Sequence, residues 1–71
     1  MSKPLEKKVQ RIIDRITFPP ESVEYKYLKA SILAEADKAQ KESKSDAEIE
    51  AAGEKGLKDG VNELSNILFK E

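Results

Sequence analysis

Apolar residues recur with the period of an α-helix almost from end to end of the chain. Leu5, Val9, Ile12, Ile13 and Ile16 form one face of a first segment. Ser2 is placed to cap it, and Pro4 falls in the first turn, where a missing N–H costs nothing. Thr17-Phe18-Pro19-Pro20 ends this segment. A residue before proline is pushed out of the helical region, and two prolines make a stiff corner, with Phe18 as an apolar plug.

A second segment restarts at Pro20-Glu21, with proline and an acid in its first turn. Its stripe is Tyr25, Leu28, Ile32, Ala36 and Ala39, flanked by Val23, Tyr27 and Leu33, and it closes in the polar run Lys41-Glu42-Ser43-Lys44. Ser45-Asp46-Ala47-Glu48 is then a capping box, the most specific local signal in the chain. The third stripe is Ile49, Ala52, Gly53, Gly56, Leu57, Gly60, Val61, Leu64, Ile67 and Leu68.

All three glycines of the protein lie in that last stripe. Each costs a helix interior about 1 kcal/mol relative to alanine, so roughly 3 kcal/mol must be recovered elsewhere. One reading is close packing: the glycines share a face, and Ala30, Ala34, Ala36 and Ala39 of the second segment can meet them. The other is a break at residues 53–56, with Gly53 ending one helix and another starting near Leu57. The shared face favours the first.

These elements predict an all-α fold, a small three-helix bundle with helices near 3–17, 21–42 and 46–69. The second and third pair as a long antiparallel hairpin, the last bent or broken near 53–56 if the glycines interrupt it. The expected core is Leu5, Val9, Ile12, Ile16, Phe18, Leu28, Ile32, Ala36, Ile49, Leu57, Val61, Leu64 and Leu68. At 1.5 Å per residue the long helices reach roughly 33–36 Å against about 22 Å for the first, which leaves one end of the hairpin uncovered.

Length and composition narrow the function. With 71 residues, one domain spanning 1–71 is expected, and a core this small is marginal without a staple. There is no Cys and no His, which removes disulfides and ordinary zinc, haem or iron–sulfur ligation. No catalytic residue, cofactor site or metal site is predicted: nucleophilic motifs are absent, and Ser22, Ser43 and Ser45 stand where helix caps belong. The glycines lack the preceding strand and following Lys-Ser/Thr of a phosphate loop. Asp46, Glu48 and Glu50 lack the glycine and distal glutamate of a calcium loop. No apolar run approaches the ~20 residues of a membrane span, and no cleaved leader is evident, so a soluble cytoplasmic protein is the expectation.

Overall charge is −1, with 13 basic and 14 acidic residues, and provides no global field toward nucleic acid. The distribution is uneven. Residues 1–17 hold five basic and two acidic residues, a local charge of +3, against 8 basic and 12 acidic in the rest, −4. The leading expectation is a non-enzymatic interaction or regulatory protein acting through an apolar helix face on another protein, or on a second copy as a homodimer. Tyr27, Leu33 and Ile49 are its candidate contact residues. The alternative is a nucleic-acid-binding regulator whose Lys7, Lys8, Arg11 and Arg15 contact phosphates, with a log–log salt slope near −3 to −4.

Overall fold

A computed structural model describes residues 3–69 of the chain, with side chains described for 5–67. The fold is all-α. Among the described residues, four helices take the place of the three expected: α1 (Lys3–Lys8), α2 (Gln10–Ile13), α3 (Val23–Lys41) and α4 (Asp46–Phe69). The Ser2 cap lies outside the described residues.

The first predicted helix is divided at Val9, where φ is −114° and ψ 15°. Val9 is fully buried, its side chain seated in the gap left by Gly53, and the backbone around it tightens. The Val9 N–H bonds to the Glu6 carbonyl and the Ile12 N–H to the Val9 carbonyl, both three residues back. Helix then stops at Ile13, four residues short of the expected end. The Arg15 and Ile16 N–H groups bond to Ile12 and Ile13, again in i→i−3 fashion, so the chain has left the α-helix before Pro19 forbids it at Phe18.

Pro20 also lies outside the helix that it was expected to open. Pro19 to Ser22 form a turn in which the Ser22 N–H and Oγ both donate to the Pro19 carbonyl (3.0 and 2.7 Å). Ser22 Oγ in turn accepts from the Tyr25 N–H at 3.1 Å, capping α3. At the far end of α3, the Ser43 N–H reaches the Gln40 carbonyl and the Lys44 N–H the Ala39 carbonyl. This is a Schellman closure with Ser43 at φ 62°, the position glycine normally fills. The capping box then forms as read: Glu48 N–H to Ser45 Oγ at 3.3 Å, Ser45 N–H to Glu48 Oε1 at 3.2 Å.

From there α4 runs unbroken through all three glycines. Its register against α3 is antiparallel, since Gly60 lies beside Leu28 and Gly56 beside Ser31 and Ile32. A Cβ at position 56 would stand 2.5 Å from the Ser31 carbonyl oxygen and 3.0 Å from the Ile32 Cα. Glycine is therefore required there by the approach of one backbone to another. At position 53 the gap is filled instead by Val9 Cγ1 and Ile12 Cδ1, and at 60 by Leu28 Cδ2. Ser31 Oγ donates to the Gly56 carbonyl at 2.8 Å, adding a polar tie at the closest point. The alanines divide: Ala36 and Ala39 are buried, while Ala30 and Ala34 face outward. The expected alanine surface opposite the glycines is thus replaced by Leu28, Ser31 and Ile32.

The core is Val9, Ile12, Ile13, Leu28, Ile32, Ala36, Ala39 and Ile49. Leu5, Ile16, Phe18, Leu57 and Leu64 are half-buried at its margin. Val61, expected inside, is 45% exposed, because the N-terminal segment ends its helix at Ile13 and does not cover that flank of α4. Leu68 lies outside the described side chains.

Two stability measurements follow. Gly56→Ala gains about 1 kcal/mol of helix propensity, yet is expected to lower stability by a net 1–3 kcal/mol, roughly, in urea denaturation, since backbone cannot yield. Gly60→Ala costs less, because the opposing atom is the flexible end of Leu28. Ser43→Gly relieves a left-handed serine and is expected to raise stability by about 0.5–1 kcal/mol in the same assay.

Candidate interaction surface

α3 has two apolar faces. Tyr25, Leu28, Ile32, Ala36 and Ala39 turn toward the core, wholly or half buried. On the opposite side Val23, Tyr27, Ala30 and Ala34 follow one another at intervals of 4, 3 and 4, all exposed. Val23 is 78% exposed and Tyr27 40%. Sequence reading singled out Tyr27 but missed its neighbours, since it assigned the alanines to the glycine contact. The signal was the 4-3-4 spacing of a second stripe on the same helix.

The other two candidate contact residues differ in fate. Leu33 is half-buried, packed against the core while reaching the surface beside this outer stripe. Ile49 is 2% exposed and belongs to the core, so the expectation that it contacts a partner is withdrawn. The start of α4 is covered by α1 and α2 on one side and α3 on the other, which leaves Ile49 no outlet. A second apolar region sits toward the other end of α4. There Val61 and Ile67 (65% exposed) continue the stripe past the reach of α2. A shallow groove of about 590 Å³ lies on this side, lined by Arg15, Leu57, Lys58 and Val61 among others.

The basic residues of the N-terminal segment are partly neutralised by the hairpin beneath them. Lys8 Nζ lies 3.1 Å from Asp46 Oδ1, and Arg15 Nη1 donates to Glu54 Oε2 at 2.7 Å. Glu6 Oε2 meets Lys29 Nζ at 3.0 Å, tying the segment to α3 as well. These pairs straddle the hairpin and orient α1 and α2 across it. Lys7 and Arg11 remain exposed, with Arg11 over the seam beside Ala47, Glu50 and Glu54. Of four cations expected to face phosphate together, two are therefore paired with carboxylates and a third overlies more. The hydrogen bond to Glu6, reinforced by that carboxylate's charge, holds Lys29 above its ordinary pKa of 10.5.

Among the described residues, no group of three or more acidic, His or Cys side chains is arranged to hold a metal ion. No described helix is long and apolar enough to cross a membrane. No protein-family model, curated protein or solved structure matches the chain.

Ion pairs this exposed contribute little. Glu54→Gln is expected to cost under about 1 kcal/mol in chemical denaturation, with the loss shrinking at high salt. For Lys29 the raised folded-state pKa means its contribution is complete below pH 10.5 and fades as pH rises through the raised value. Wild type and Lys29→Met should accordingly converge in stability above that range.

Proposed function

We propose that this chain is a small non-enzymatic helical protein that binds another macromolecule, in regulation or assembly, through an apolar helix face. The helices are arranged as a bundle in which the N-terminal segment packs over one side of the α3–α4 hairpin. The observation that supports the reading is the exposed stripe of Val23, Tyr27, Ala30 and Ala34 on α3. It places a large aromatic and a β-branched residue on a surface whose burial a partner would favour. Tyrosine suits such a place because its ring is buried at small cost in conformational entropy while its hydroxyl stays wet.

The nucleic-acid alternative rests on Lys7, Lys8, Arg11 and Arg15, and the Lys8–Asp46 and Arg15–Glu54 pairs weigh against it. A phosphate contact would have to displace carboxylates already in place.

The two readings separate on salt and on side chain. Immobilised protein, exposed to extract of the source cells, is expected to retain a protein partner at about 1 M salt, where phosphate contacts are screened. Tyr27→Ser should abolish that retention, while Lys7→Gln with Arg11→Gln leaves it intact. Retention of nucleic acid that collapses with salt and with the Lys7 and Arg11 changes would overturn the proposal in favour of the alternative.

A further inference from the structure

The outer stripe of α3 has the spacing of an antiparallel helix pair, and its flanking charges are complementary to a second copy of themselves. Val23, Tyr27, Ala30 and Ala34 occupy the alternating 4-3-4 positions of a coiled-coil seam, on the side of the helix away from Leu28, Ile32 and Ala36. A second α3 laid antiparallel on this seam, about a two-fold axis between Tyr27 and Ala30, sets Tyr27 of each copy on Ala30 of the other. Val23 then meets Ala34. Small residues opposite a large aromatic allow the two helices to approach closely over the whole stripe.

The flank of the seam that borders α4 carries Glu24 and Lys38, two heptads apart, with Ser31 between them turned to the Gly56 carbonyl. In the antiparallel arrangement, Glu24 of each copy and Lys38 of the other lie on the same side of the seam, about 7.5 Å apart along the helix axis. Side chains lean toward the N-terminus of their own helix, so these two lean toward one another. The pair occurs twice by symmetry. Neither Glu24 nor Lys38 forms an ion pair within the chain among the described residues, whereas the next outward charges, Asp37 and Lys41, are already joined at 3.2 Å. On the opposite flank the aliphatic stem of Lys26 lies along half-buried Leu33 of the second copy. A parallel copy would instead bring Glu24 level with Glu24 and Lys38 level with Lys38.

We infer that the protein self-associates as a two-fold dimer through the outer face of α3, antiparallel, with Tyr27–Ala30 contacts at the centre and Glu24–Lys38 pairs at both ends. This rests on the reading of that face as a binding surface and names a second copy as the partner. A seam of four residues per copy, two of them alanine, is below the size of a standard stable interface, so the dimer is expected to be a weak one.

The test is sedimentation equilibrium of the full chain from about 5 to 500 μM, with circular dichroism on every variant. Wild type is expected to pass from monomer to dimer across that range. Ala30→Glu, at an exposed helical position, should keep its helical spectrum and weaken the dimer more than tenfold. Glu24→Lys and Lys38→Glu should each weaken it about three- to tenfold, and the double exchange should recover most of the loss. A wild-type monomer at 500 μM overturns the inference, as does a dimer indifferent to Ala30→Glu. Single reversals that are not rescued by the double exchange overturn the antiparallel register. A monomer that still captures a protein through Tyr27 removes the second copy as partner while leaving the proposed function standing.

Discussion

The closest approach in the molecule, α4 at Gly56 against the α3 backbone at Ser31 and Ile32, sets the position of nearly everything else. No Cβ fits there, so sliding α4 by one turn so as to bring Ala52 to that point is sterically barred. The Ser31 hydroxyl bonded to the Gly56 carbonyl reinforces the same alignment. Three helix-weakening residues are retained because a smaller interhelical distance brings many atom pairs into dispersion contact, and because the gaps at 53 and 60 receive Val9, Ile12 and Leu28.

The gap at Gly53 carries the consequence upward into the N-terminal segment. Val9 and Ile12 enter it together, which anchors the segment on the hairpin, and the ion pairs of Glu6, Lys8 and Arg15 lie at its edges. Anchored there, with its last helix ended at Ile13, it shields the start of α4 and leaves the flank at Val61 open. Of the basic residues in the first seventeen, read as a surface for phosphate, Lys8 and Arg15 face carboxylates of α4 instead.

The proposed function rests on the surfaces that the hairpin does not bury. α3 is apolar on two sides, and close packing through glycine uses only one of them. The other presents Val23, Tyr27, Ala30 and Ala34 to solvent at seam spacing, a pattern a buried face needs and an exposed face does not.

Local signals were legible along the chain: the helical period, the capping box at Ser45 and Ser22 as a cap are interactions among neighbours in sequence, so composition and spacing determine them. The last helix is continuous, as the shared face of its three glycines favours. What tertiary structure decided was which side of each helix meets another. Ala30 and Ala34 point out and Ile49 is enclosed because the crossing point at Gly56 sets the rotation of α3 and α4 about their axes. Val9 interrupts the first helix because Gly53, forty-four residues later, leaves it a gap to enter. Helical period specifies that a face exists, but a stripe of alanines reads alike whether glycine or water lies opposite, and only the packed partner distinguishes them.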